Sequence, residues 1–464
     1  MSNIEVQNFN FKYQKSAEQI FENVNLTFPG GELSLLTGPS GCGKSTLMTI
    51  IAGLDRDKKY TGDITIGVQN IKDIKPAERA KLISMMFQDP NQQFVMQKVQ
   101  EELIFALENI QTPAAEIDAK VQAALDFCDI QYLADRKIIT LSGGEKQKVI
   151  LATMVALDSD IMLLDEPFAS IDFPSKQDIL AKLVKLQTEK HKTIIISDHD
   201  LAGYAGLVNH LFRVEGTSIK ELSTSETEQV LNTNHQSNVN FKLPNGSVNI
   251  ELTDFSFKAQ QKTLLNCDDF KFYQGCTLLT GASGIGKSTL FRSLTKLKKY
   301  AGNVTLADIN IKKIKNKLFY QEIALIFQNA NDQFLDVTVN EEIELAKSTA
   351  LSDYWTAEKI DQALIGLNLD GKKDQVVYTL SGGQKKKLQI LLMLIRDTNI
   401  MLLDEPFAGL DKKSVEFVES MLQTEFLNRN HSLVVISHQI FQFHDFFEYH
   451  IEFANQALTY KEVL

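Results

Sequence analysis

At 464 residues the chain is too long for one ordinary domain and suits two or three. Its 44% hydrophobic and 23% charged residues exclude an intrinsically disordered polymer. A net charge of −11 weighs against a protein whose main work is to coat nucleic acid, although a local basic patch survives an acidic average.

No apolar run approaches the roughly 20 residues needed to cross a bilayer. Short runs such as IMLLD and TIIIS have the length of buried parallel strands. The N-terminal MSNIEVQNFNFKYQ has neither the basic start nor the apolar core of a secretion signal, so a cytosolic chain is expected. The four cysteines (Cys42, Cys128, Cys267 and Cys276) show no metal-site or CxxC spacing and are expected as reduced thiols.

In chain order, FNFKYQ at 9–14 alternates Phe9 and Phe11, the inward face of a strand, and then presents Tyr13. ELSLLT at Glu32–Thr37 reads as a strand that enters a glycine-rich turn, GPSGCGKSTL at 38–47, and then a helix. Gly38, Pro39, Ser40, Gly41, Cys42 and Gly43 let the backbone fold tightly, so that several N–H groups point inward at a phosphate. The helix start at Lys44, Ser45 and Thr46 adds partial positive charge. Lys44 would neutralise β- and γ-phosphate oxygens and Ser45 would ligand Mg²⁺. Cys42 beside Lys44 has two readings, a reactive thiol of lowered pKa or a space-filling side chain. MMFQDP then carries Gln88, LSGGEKQK spans 141–148, and IMLLDEPFASID spans 161–172. Asp165 closes a strand-type run, where α/β folds bind ligands, and can hold a metal's water shell. Glu166 is the candidate base for an attacking water, and His199 follows the strand IIIS.

The first domain is expected over 1–222. A polar stretch at 223–246 lacks apolar periodicity, ends in a Pro-Asn-Gly turn signal and reads as linker. The second domain, 247–464, repeats the first. GASGIGKSTL at 281–290 returns the phosphate loop as Gly281, Ala282, Ser283, Gly284, Ile285, Gly286, Lys287, Ser288 and Thr289. Gln328, LSGGQKKK at 380–387, IMLLDEPFAGLD at 400–411 and His438 return the rest. From Ser142 to Asp165 is 23 residues, as it is from Ser381 to Asp404; Asp165 to His199 and Asp404 to His438 are both 34. The lysine runs KKIKNK at 312–317 and KKK at 385–387 read as solvated surface.

These residues resemble the ATP-binding-cassette ATPases over almost the whole chain, and LSGG is the motif that separates that family from other P-loop proteins. The resemblance implies an α/β fold of two tandem P-loop domains, each with a RecA-like core, an antiparallel β subdomain and a helical subdomain. It implies ATP and Mg²⁺ as ligands, and Glu166, His199, Glu405 and His438 as catalytic residues. Ser45, Gln88 and Asp165, with Ser288, Gln328 and Asp404, are the implied metal-binding positions. Asp172 and Asp411 match an interface loop. The implied pairing of the two halves is head to tail. Each ATP then lies between the P-loop of one half and the signature of the other: Ser142, Gly143, Gly144 and Glu145, or Ser381, Gly382, Gly383 and Gln384. Signature amides at a helix N-terminus make a second anion-binding surface.

Tyr13 matches the family's adenine-stacking aromatic, and its counterpart is Ala259, which predicts a weaker second site unless Phe255 or Phe257 substitutes. FQDPNQQF at 87–94 and FQNANDQF at 327–334 are similar to a segment of energy-coupling-factor ATPases, importers of vitamins and transition-metal ions. That likeness implies a transmembrane coupling subunit and a small substrate-binding membrane subunit as partners. It places the chain at the cytoplasmic face of the membrane, with no nucleic-acid partner. The alternatives are a sugar-importer ATPase and a soluble twin-cassette factor acting on ribosomes or DNA.

Overall fold

The computed structural model describes residues 2–13, 19–39, 41–54, 59–168, 171, 173–232, 239–259, 262–437 and 446–463. The chain divides into two compact units, 1–235 and 236–464.

In the first unit β1 (Ile4–Phe11) and β2 (Phe21–Phe28) precede β3 (Leu33–Thr37), α1 (Lys44–Ile51), β4 (Tyr60–Ile66), β5 (Gln69–Asn70), α2 (Pro76–Leu82) and β6 (Ile83–Met86). Next come α3 (Val99–Asn109), α4 (Ala114–Phe127), α5 (Gly143–Leu157), β7 (Ile161–Asp165), α6 (Phe173–Lys190), β8 (Thr193–Ser197), β9 (His210–Glu215), β10 (Ser218–Glu221) and α7 (Thr224–Asn232). β2-β1-β4-β5 form an antiparallel sheet, and β10-β9-β3-β8-β7-β6 a six-stranded one that is parallel except at β10. Period-2 geometry explains how the apolar residues of the five-residue strands serve two cores. Along β7, Ile161 and Leu163 face the core shared with the antiparallel sheet and α1, whereas Met162 and Leu164 face the core built with α3, α4 and α5.

The second unit repeats this plan. It runs through β11 (Val248–Ala259), β12 (Lys262–Tyr273), β13 (Cys276–Thr280), α8 (Lys287–Leu294), β14 (Ala301–Leu306), β15 (Ile309–Asn310), α9 (Asn316–Glu322) and β16 (Ile323–Ile326). α10 (Val339–Ser348), α11 (Ala357–Gly366), α12 (Gly382–Arg396), β17 (Ile400–Asp404), α13 (Lys412–Glu425), β18 (Ser432–Ile436), β19 (Tyr449–Ala454) and β20 (Ala457–Lys461) complete it. Its sheets are ordered β12-β11-β14-β15 and β16-β17-β18-β13-β19-β20.

Within the stretch read as linker, 224–232 is the helix α7, and its Leu231 is buried in the first unit's core. On the other side of 233–238, Val239 and Phe241 are buried in the second unit, where the Phe241 amide donates to Glu462 O at 2.7 Å. The KKK run departs from expectation. Lys386 and Lys387 are buried on the inner side of α12, because their helix packs on both faces and leaves little of its second turn in water.

Candidate active site

Each phosphate loop joins the central strand of its sheet to a helix. Gly38, Gly41 and Gly43 have φ of 156°, 80° and 99°, and Gly43 is the left-handed residue that starts α1. Gly43 is glycine for two reasons: its φ is left-handed, and a Cβ there would lie 2.6 Å from Ile20 Cγ2. Gly281, Gly284 and Gly286 repeat the pattern at 152°, 76° and 116°, and a Cβ on Gly281 would lie 2.5 Å from Phe453 O. Lys44 Nζ donates to Gly38 O at 2.8 Å and to Pro39 O at 3.0 Å. Lys287 Nζ donates to Gly281 O at 2.5 Å and to Ala282 O at 3.1 Å. Both ammonium groups are buried inside the curl of their own loops, where an anion seated on the loop amides would meet them. Ile285 N donates to Ala282 O at 3.3 Å, and Ser283 and Gly284 lie exposed at the rim of the second loop. Ser40 lies outside the described residues.

The surroundings of Cys42 favour the space-filling reading over the activated thiol. Burial pushes its pKa up, and the nearby Lys44 ammonium only partly opposes this. Its side chain packs against the core beneath the loop.

Asp165 ends β7 and is buried; burial raises its pKa against hydrogen bonds from Ser197 and Ser45. Glu166 follows at φ 46°, a left-handed conformation that costs a non-glycine residue energy. Its amide donates to Ser197 O at 2.9 Å, and this fixes the turn. Gln88 Nε2 donates to Glu166 Oε2 at 2.7 Å, while His199 Nδ1 lies 3.7 Å from Glu166 Oε1. The structure thus brings Gln88, Glu166 and His199 together. Burial disfavours charge on His199, yet its pairing with Glu166 and the negative charges of Asp198 and Asp200 outweigh it and raise its pKa.

In the second unit Asp404 ends β17, buried, and its pKa is raised by burial against the Ser288 hydrogen bond and nearby cations. Glu405 is buried at φ 50°, its amide donating to Ile436 O at 3.0 Å. Gln328 is exposed. His438 and Asp172 lie outside the described residues. Asp411 caps α13, accepting from Ser414 N at 2.8 Å.

Ser142 and Ser381 are the N-caps of α5 and α12, each in a reciprocal capping box, with Glu145 and Gln384 respectively. The first-turn amides of Gly143, Gly144, Gly382 and Gly383 have no intrahelical acceptor and suit an anion. Tyr13 is 43% exposed; its hydroxyl lies 2.6 Å from Thr46 Oγ1 and its ring stands edge-on to Phe11. Thr289 occupies the position of Thr46 in α8. Phe255 and Phe257 are buried in the core of their unit, so neither presents a face in place of Ala259.

Ser45, Gln88 and Asp165 supply hard oxygen donors of the kind Mg²⁺ prefers, and the Ser45–Asp165 hydrogen bond shows two of them adjacent. Among the described residues no group of three His, Cys, Asp or Glu side chains could hold a metal alone. The donor set therefore fits an ion completed by water and by the substrate's own phosphate oxygens.

Sequence reasoning missed the network behind His199. Lys176 Nζ, on α6, lies 3.5 Å from Asp198 Oδ2 and 3.3 Å from Asp200 Oδ2, and donates to Asp200 O at 2.9 Å. The Tyr204 hydroxyl donates to Asp198 Oδ2 at 2.8 Å. The one sequence signal was negative: the repeat places Val415 and Ser437 where the first half has Lys176 and Asp198.

The family model described as ABC transporter matches residues 21–169 and 265–408. The chain is 30% identical over 462 residues to YkoD of Bacillus subtilis, an ATP-binding protein whose name assigns it provisionally to HMP/thiamine import; the match covers 90% of this chain and 84% of that one. It is 27% identical over 451 residues to a Methanosarcina mazei protein provisionally named ABC transporter ATP-binding protein, covering 94% and 90%. Among solved structures it is similar to RNase-L Inhibitor, with a TM-score of 0.62, 18% identity and coverage of 96% and 87%. An archaeal ribosome recycling factor, aABCE1, solved with the stalk protein aP1, gives a TM-score of 0.63 at 19% identity, with the same coverage. At these identities the structural likeness is one of fold. No helix among the described residues is long and apolar enough to cross a membrane. With the family model matched twice and both cassettes carrying the same loop, strand-end carboxylates and signature helix, the chain belongs to the ABC transporter family as a tandem pair of ATP-hydrolysing, ATP-binding domains.

Proposed function

We propose that both cassettes turn over ATP and that this drives a membrane importer whose membrane-spanning parts are separate proteins. One observation carries the two-site reading. In each unit a buried lysine, a buried aspartate and a glutamate held at positive φ converge at the carboxyl ends of two parallel strands that flank a third.

In this reading Lys44 and Lys287, with the loop amides, neutralise phosphate oxygens and hold the triphosphate in line. Glu166 and Glu405 orient a water and take its proton as its oxygen bonds the γ-phosphorus and the bond to the ADP oxygen breaks. Gln88 and His199 grip the two carboxylate oxygens of Glu166 and so aim it. Mg²⁺, held through Ser45, Gln88 and Asp165 or through Ser288, Gln328 and Asp404, supplies charge neutralisation for the phosphates. By the family resemblance, the signature residues Ser142, Gly143, Gly144 and Glu145, and Ser381, Gly382, Gly383 and Gln384, are the further groups proposed to contact ATP. ATP then draws the halves together and hydrolysis releases them, and fusion in one chain keeps their effective concentration high.

Two features support the importer reading. Each cassette exposes apolar side chains beside its Q-loop segment, Val95 and Ile139 in the first and Leu335, Val337 and Tyr378 in the second, as a protein partner's docking site would. The first cassette also has a groove of about 550 Å³ partly lined by Met85, Phe87, Phe94, Ile110 and Ile150. The YkoD likeness and the FQDPNQQF segment favour an energy-coupling-factor importer of a vitamin or metal ion, with the chain bound at the cytoplasmic face of the membrane. Affinity purification from detergent-solubilised cells tests this. A polytopic membrane protein with a smaller, very apolar companion is expected; ribosomal or DNA-repair proteins without a membrane subunit would overturn it.

A further inference from the structure

The signature helices differ in charge at a buried position of their second turn. Aligning LSGGEKQK with LSGGQKKK sets Gln147 of α5 against Lys386 of α12. Lys386 is 6% exposed, and its Nζ donates to the carbonyl of Phe327 at 3.3 Å, one residue before Gln328. Gln389, almost one turn further along α12, donates to the same carbonyl at 3.0 Å and to Gln333 Oε1 at 3.1 Å. Gln333 Oε1 in turn accepts from Phe327 N at 3.3 Å. Both main-chain polar groups of Phe327 are thus held in a network with α12. In the first cassette Gln93 accepts from Phe87 N, but Ile150 stands where α12 has Gln389.

A buried ammonium with a single carbonyl for a partner is costly unless negative charge lies close by. Here Asp404 and Glu405 supply it: burial pushes the Lys386 pKa down to about 8, and the two carboxylates oppose that fall. Lys386 and Lys287 of the phosphate loop both pull the Asp404 pKa down against its burial. The strand pairing shows what the lysine replaces. Asp165 is paired across the sheet with Ser197, whose hydroxyl donates to it, whereas Asp404 is paired with Ile436, which has no donor in its side chain.

We propose that Lys386 is a positioning residue of the second active site, holding the start of the Q-loop against the carboxyl end of β17 and supplying there a positive charge that the first cassette lacks. The role rests on the two-site reading above. Through the Phe327 main chain it places Gln328, and through its charge it steadies the Asp404–Glu405 turn.

The test uses the full chain carrying E166Q, so that turnover comes from the second site. K386M is expected to lower kcat about tenfold, the order of a charged hydrogen bond, with KM for ATP changed less than about twofold. K386Q, which installs the residue that α5 already buries at this place, is expected to fall with it and carries the test if K386M does not fold. K386R, which keeps the charge, is expected to stay within about threefold of the parent. Parental kcat in K386M and K386Q would overturn the role, as would equal losses in all three variants with KM rising in step, the mark of packing alone. An E166Q chain without turnover would overturn the two-site reading itself, and this role with it.

Discussion

Replacing Lys176 with Met tests whether the network behind His199 is an asymmetric structural device. The lysine is buried among Asp198, Asp200 and the rings of Tyr204 and Phe168, with Nζ 4.7 Å and 5.5 Å from the two ring centres. At 3.5 Å and an effective dielectric of about 20, the Lys176–Asp198 attraction is about 5 kcal/mol before desolvation. Removing one partner leaves a fully buried carboxylate whose remaining donors are Tyr204 and the Asp200 amide. Such breaks cost about 3–5 kcal/mol. Hydrogen exchange of the full chain, resolved by peptide, is the assay, because it separates the two units. K176M should lower the opening free energy of β7 and β8 by about that amount and leave β17 and β18 unchanged, since Val415 stands in the lysine's place there. Adding D198N should recover part of the loss, because it removes the orphaned charge. Equal protection in K176M and the parent, or strictly additive losses in the double variant, would refute the reasoning.

Three further outcomes follow from the same geometry. The raised pKa of His199 means that its pairing with Glu166 stabilises the fold fully below the unfolded value of about 6.5 and is lost as pH rises through the folded value. H199Q should therefore cost more stability at pH 6 than at pH 9 in chemical denaturation, and an equal cost at both would contradict the ion pair. Y13A should weaken ATP binding at the first site by about 1–3 kcal/mol, and A259Y should strengthen the second, measured by nucleotide titration of chains with the other site disabled. Cys42, pushed up by burial, should react with iodoacetamide at pH 7.5 more slowly than a free thiol; faster reaction, blocked by ATP, would restore the activated-thiol reading.

The parts of the fold and site that were legible in sequence are those encoded locally. A strand, a glycine turn and a helix start are contiguous in 32–47, so their geometry follows from the residues alone, and the matching spacings in the second half identified the same unit again. Asp165 and Asp404 could be placed because a four-residue apolar run followed by a carboxylate has one natural place in a parallel sheet. What stayed hidden depends on contacts between distant segments. Lys176 and Asp198 are 22 residues apart and meet only because α6 packs beside the end of β8. The KKK run looked solvated because a charged triplet carries no sign of which turn its helix buries; only the packing of α12 shows that two of the three point inward. α7 escaped a periodicity search because Val230 and Leu231 are the only apolar residues in its nine.

The most direct test of the central claim, two competent ATPase sites in one chain, is steady-state ATP turnover of E166Q, E405Q and the double variant. Both single variants should fall below the parent and the double should be inactive, because each removes a buried glutamate held at the same strained turn. A fully active E405Q chain would contradict it.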